Sequence, residues 1–125
     1  MNFEYYFDNE NDWLHIHILP NDLIKGDIFM VEAWLEGDIQ GGSYELELFK
    51  ELIENPEKKE EKFWGNSMIV NLVKGGNSTI EWCFYDESPN SCTLPTEMLY
   101  EILKIWVAKK EELRAEKEKD KSNKN

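Results

Sequence analysis

Basic side chains are scarce in this chain: a single arginine, Arg114, and 14 basic residues in all stand against 26 acidic ones, for a formal charge of -12 over 125 residues. A surface of that sign repels phosphate, which argues against non-specific nucleic-acid binding and against an anionic membrane, and favours a basic partner. An anionic substrate would also lack a clamp, because the only arginine lies near the C-terminus and Lys74 and Lys104 are the only basic residues near the ordered C-terminal elements. No uncharged stretch approaches the roughly 18 residues of a membrane span. The N-terminus has no basic segment followed by an apolar one, so a cytoplasmic location is expected. Two cysteines, Cys83 and Cys92, are too few for a disulfide framework, and in a reducing compartment they are expected as free thiols. Sequence signatures of nucleophile elbows, phosphate loops, redox Cys pairs and zinc-protease helices are all missing. No enzymatic role and no cofactor is therefore expected.

The chain is nonetheless rich in what a core requires. Hydrophobic residues make up 41% and aromatics 13%, far above a disordered acidic segment. One domain over residues 1–110 is expected, followed by a charged helical extension and frayed tail over residues 111–125. Short aromatic and β-branched runs at residues 3–7 and 13–19, separated by a polar cluster, predict a hairpin. Its second strand alternates Leu14, Ile16 and Ile18 with Trp13, His15 and His17. Residues 28–38 alternate Val31, Ala33 and Leu35 with Glu32, Trp34 and Glu36, which predicts a third strand. A helix follows on the stripe Leu48, Phe49, Leu52 and Ile53, with Ser43 as its N-cap and Pro56 as its stop. Residues 57–62 read as a charged loop. A second hairpin joins Met68–Lys74 to Ser78–Tyr85 across Gly75-Gly76-Asn77. After a loop at residues 88–91, a helix from Pro95 or Thr96 carries Met98, Leu99, Ile102, Leu103 and Trp106. Trp64 and Trp106 are expected in the core. The fold class is α+β, ordered β-β-β-α-β-β-α, with an antiparallel-dominated sheet of about five strands and two helices packed on one face.

The most informative constellation is aromatic and acidic. If the strand at residues 28–38 turns its aliphatic side inward, Trp34 is exposed among Glu32, Glu36 and Asp38. Together with Trp13, His15, His17, Glu81 and Tyr85 it would form a partner-binding surface, rings supplying anchor area and carboxylates steering a cationic protein. His15 and His17, about 7 Å apart on one strand face, could share a metal if a carboxylate such as Glu32, Glu36 or Glu81 approached. That weaker pattern carries the rival expectation, a metal-dependent enzyme.

The layout also resembles a known family. An N-terminal hairpin, Asp38-Ile39-Gln40-Gly41-Gly42 ahead of a helix containing Phe49-Lys50-Glu51-Leu52, and Trp64-Gly65-Asn66-Ser67 leading into a second hairpin are similar to immunity proteins of bacterial contact-dependent growth inhibition, particularly those cognate to ribonuclease toxins. The likeness spans roughly residues 2–110. It implies a non-catalytic cytoplasmic inhibitor whose partner is the basic C-terminal domain of a toxin. An intracellular interaction adaptor with no toxin involved is the alternative.

Overall fold

The computed structural model describes residues 4–10, 13–19, 28–39, 41–83 and 91–122. Within them the chain is α+β, with antiparallel strands in two sheets: β1 (Tyr5–Glu10), β2 (Trp13–Ile18), α1 (Ile28–Asp38), α2 (Ser43–Glu54), β3 (Glu60–Trp64), β4 (Met68–Val73), β5 (Asn77–Trp82), β6 (Ser91–Pro95) and α3 (Thr96–Ser122). Strands β1 and β2 form a hairpin of their own, and β3-β4-β5-β6 form a four-stranded meander in which every neighbour is antiparallel. The expected five strands and two helices become six strands and three helices.

The difference arises chiefly at residues 28–38, expected as a strand and found as the eleven-residue helix α1. Its buried residues, Met30, Val31, Trp34 and Leu35, recur at helical spacing. Glu32 and Glu36, four apart, share a face in a helix as they would in a strand, so the carboxylates do not discriminate. Trp34 does. In a strand it would stand beside the two glutamates; in the helix it turns inward and is only 1% exposed. Leu, Met, Ala and Glu in this run favour the helix.

Two further corrections concern edges. Residues 60–64, partly read as loop, form β3, in which only Phe63 is buried. Trp64, expected in the core, points to solvent at 63% exposure. Charged residues on an edge strand are a common defence against stray pairing, and they conceal the strand in the sequence. The segment Ser91–Pro95, expected as loop and helix start, is the opposite edge strand β6, with Cys92 and Leu94 inward. Its terminal proline is tolerated at an edge. The expected strand residues Phe84 and Tyr85 and the loop at 88–90 lie outside the described residues.

Of the core face the alternation predicts for the second hairpin, Met68, Val70, Leu72, Ile80, Trp82 and Phe84, the first four are found buried, Trp82 is half-buried and Phe84 lies outside the described residues. Met68, Val70, Leu72 and Ile80 are buried on one sheet face, while Asn71, Glu81 and Thr93 are exposed on the other. That inward face, all three helices and the aliphatic side of β2 (Leu14, Ile16, Ile18) contribute to one core. The β1–β2 hairpin stays separate from the four-stranded sheet; its inner face meets the helices, with the Phe7 ring 6.4 Å from that of Trp106. Helix α2 buries Phe49 and Leu52 as expected but leaves Ile53 exposed. Its N-cap is Gly42 at φ 89°, not Ser43. A side chain there would meet a positive φ and collide with Val107, which explains the glycine. In α3, Met98, Leu99, Ile102, Leu103 and Trp106 are all buried, and the helix continues unbroken through residue 122. Among the described residues no helix is long and apolar enough to cross a membrane.

The two misassigned tryptophans give a direct test. Trp34→Ala should cost about 3–5 kcal/mol, the range for emptying an aromatic site in a packed core. Trp64→Ala should cost no more than about 1 kcal/mol, since it removes little beyond a contact with the Lys62 ammonium. Urea unfolding of both variants measures the contrast; equal losses would contradict the burial assigned to each.

Candidate functional site

Strand pairing decides which side chains share a surface. In the β1–β2 register Tyr6 faces His17 and Asp8 faces His15, so these pairs lie on one face of the hairpin, together with Trp13 two residues along β2. Leu14, Ile16 and Ile18 fill the opposite, buried face. The outward face is thus aromatic, imidazole and acidic. Tyr6 stacks on His17 with ring centroids 4.6 Å apart, and Tyr6 and Trp13 are 54% and 56% exposed. His17 Nε2 lies 3.8 Å from the Asp8 carboxylate. The His15 and His17 rings are 6.4 Å apart, close to the spacing expected for alternate residues of a strand.

Helix α1 completes this surface and holds it. Glu32 and Glu36, one turn apart, both turn to β2: His15 Nδ1–H donates to Glu36 Oε1, and the backbone N–H of Ile18 donates to Glu32 Oε2 at 2.8 Å. The Ile18 N–H belongs to the β2 edge that does not pair with β1, so Glu32 satisfies a donor that the hairpin leaves open. Partial burial raises the Glu32 carboxyl above its usual value; the Ile18 hydrogen bond and His17 oppose that rise, and Glu36 adds to it.

Five of the expected site residues therefore assemble: Trp13, His15, His17, Glu32 and Glu36. The others go elsewhere. Trp34 is core. Asp38 accepts hydrogen bonds from the backbone N–H groups of Ser67, at 3.1 Å, and Met68, at 2.9 Å, so it fixes the turn between β3 and β4. Glu81 stands exposed on the open face of the four-stranded sheet, paired across strands with Ile69 and Ser91. Tyr85 lies outside the described residues. Sequence reasoning missed Tyr6 and Asp8, although their alternation in β1, in step with Trp13, His15 and His17, was the available signal.

The surface offers rings, carboxylates and imidazoles. Among the described residues, no group of three or more His, Cys, Asp or Glu side chains is arranged to hold a metal ion. Cys92 faces inward on β6 and Cys83 follows the end of β5, and the two are not joined by a disulfide. The chain matches no protein-family model, no curated protein and no solved structure.

Glu32 generates a pH-dependent prediction. A carboxyl whose folded value is raised binds its proton more tightly when folded, so its contribution is fully present at low pH and is lost as pH rises through the raised value. Glu32→Gln keeps an acceptor for the Ile18 N–H but has no charge to desolvate. Its melting temperature should equal or exceed that of the parent at pH 7, the difference vanishing as pH falls below the carboxylate range. Glu32→Ala, which strands the N–H, should lose about 1–2 kcal/mol across the whole range. Melting curves from pH 3 to pH 7, as approximate limits, measure both.

Proposed function

We propose that the chain is a stoichiometric inhibitor of the immunity type, which binds the basic C-terminal domain of a toxin, nuclease-like in its chemistry, and blocks access to its cationic groove. The observation that carries this reading is the outward face of the hairpin, where exposed Tyr6 and Trp13 flank Asp8 and the two histidines. This face lies in a stretch whose first basic residue is Lys25. Exposed rings beside carboxylates suit a lysine- and arginine-rich protein: the rings provide desolvated anchor area and cation–π contacts, and the carboxylates provide steering.

The wider charge distribution supports the same reading. Residues 1–57 contain fourteen acidic and two basic side chains, so the field around the hairpin attracts a cationic domain before contact. A nuclease must present positive charge to phosphate, and a protein that covers such a groove need supply no catalytic group. On this reading the inhibitor acts in the cytoplasm, where a nuclease toxin meets its RNA, and has no cofactor. Trp13, His15 and His17 contribute directly to the contact. Glu32 and Glu36 act through the hairpin they hold in position.

The test uses the full chain and the C-terminal domain encoded by the neighbouring gene, which this reading expects to be toxin-like. Binding should be tight and one to one, and the association rate should fall about tenfold or more as salt rises from low to several hundred millimolar. Tyr6→Ala combined with Trp13→Ala should weaken affinity by about tenfold or more with the circular dichroism spectrum unchanged. Co-expression with the toxin domain should restore growth, and the double variant should restore it less. Affinity indifferent to salt and to both ring deletions would remove the hairpin face from the interface.

A further inference from the structure

The second half of α3 reverses the charge of the molecule. From Lys109 onward the chain carries seven basic and five acidic residues, against a strongly acidic remainder. Lys110, Arg114 and Lys117 follow one another at i, i+4 and i+7, on one stripe of the helix. Like charges so spaced repel one another, which the helix tolerates only at a cost. Three other lysines are compensated: Lys58 between Glu51 and Glu61, Lys104 by Glu101 at 2.6 Å, and Lys109 by Glu112 at 3.4 Å. Lys110 lies over the Trp106 ring, 5.2 Å from its centroid. Among the described residues neither Arg114 nor Lys117 has a carboxylate partner, although the chain has nearly two acids for each base.

These cations border a cavity. It lies between α3 and the hairpin, has a volume of about 260 Å³, and is lined by Asn9, Leu14, Lys110, Leu113, Arg114 and Lys117. Three cations and one amide surround two leucines, and no acidic side chain is in the lining. Leu14 is buried and Leu113 is half-buried against the core, so the floor is apolar and fixed. On the other side of Lys110 and Arg114 a second hollow of about 380 Å³ is lined also by Gly41, Ser43 and Glu111, and its glutamate makes it the poorer place for an anion.

We propose that the cavity between α3 and the hairpin binds a small amphipathic carboxylate, whose apolar chain rests on Leu14 and Leu113 and whose carboxylate is held by Arg114 and Lys117. An apolar floor with a cationic rim calls for both parts of such a ligand. A bare inorganic anion would leave the leucines uncovered, and a neutral chain would leave the repulsion along α3 unrelieved. The cavity is smaller than the roughly 300–1,000 Å³ typical of larger ligands, so a short chain is expected. The site is separate from the outward face of the hairpin and does not depend on the inhibitor reading.

The experiment is a two-dimensional amide NMR titration of the full chain with sodium octanoate, with octanamide and inorganic phosphate as separate probes. Octanoate should produce saturable shifts at Asn9, Leu14, Leu113 and Arg114, binding about fivefold or more tighter than either control. Arg114→Gln with Lys117→Gln should weaken octanoate by about fivefold or more, while Lys119→Gln, which removes a cation outside the lining, should leave it unchanged. Octanamide binding as tightly as octanoate would reduce the cavity to an apolar crevice. Phosphate binding as tightly would reduce it to general attraction by the stripe. Either result, an absence of saturable shifts, or equal losses in the Lys119 variant would overturn the proposal.

Discussion

Burial of Trp106 is the constraint on which the arrangement of elements turns. Its indole is 1% exposed, and its Nε1–H donates to the carbonyl of Ile39 at 3.0 Å, just past the end of α1. An indole cannot be buried cheaply unless that donor is satisfied, so the α1–α2 junction is tied to α3 by a polar requirement within an apolar core. The ring also meets Phe7 of β1 at 6.4 Å. One side chain therefore links the long helix, the connection between the two shorter helices, and the hairpin. A two-stranded hairpin is marginal on its own and needs such support. The presentation of Tyr6 and Trp13 to solvent depends on the opposite face of the same strands being held against α1 and α3.

A second set of contacts works from the edge. The two glutamates of α1 engage β2 at a side chain, His15, and at a backbone donor, Ile18 N–H. Hydrophobic contact alone would keep the hairpin on the helices but would specify its position poorly. Directional bonds from adjacent turns of one helix fix how far along α1 the strand sits. Asp38 does the same at the helix end, where its carboxylate accepts from Ser67 and Met68 and anchors the turn leading into β4. One short helix thereby sets the position of the hairpin through two carboxylates and that of the four-stranded sheet through a third.

Much of this was legible in the sequence, and the failures have identifiable causes. The α+β class, the core faces of β2, β4 and β5, and the apolar stripe of α3 follow from periodicity, because long or repeated patterns leave one solution. Helix α1 does not, because an eleven-residue stretch with acids four apart fits period 2 on one set of residues and period 3.6 on another. The two edge strands were hidden for opposite reasons: β3 carries charge that resembles a loop, and β6 is short and runs directly into α3. The errors at α1 and β3 each moved a tryptophan to the wrong side of the surface. Of the candidate site, the hairpin half was readable from alternation in β2. The half contributed by α1 was assembled for a reason the sequence does not state, since Glu36 meets His15 and Glu32 meets the Ile18 N–H across a tertiary contact.

The acidity of the chain consequently divides into two kinds. Glu32, Glu36 and Asp38 are already committed to the hairpin and to the β3–β4 turn, and a partner that drew them away would strand the groups they satisfy. Composition counts these carboxylates equally with Asp8 and Glu81, which are exposed and hold no backbone donor among the described residues. Only the second kind can be offered to a cationic surface without cost to the fold. Reading function from net charge thus requires subtracting the carboxylates that the architecture consumes. After that subtraction the hairpin still presents Asp8 beside two exposed rings, and the open face of the four-stranded sheet presents Glu81 in a row with Trp64 and Ile69. The hairpin carries the denser combination of rings and negative charge, whereas Trp64 is already covered in part by the ammonium of Lys62, 5.3 Å from its ring. A cation approaching the open sheet would have to compete with that lysine; one approaching the hairpin finds Tyr6 stacked on a histidine and Trp13 exposed.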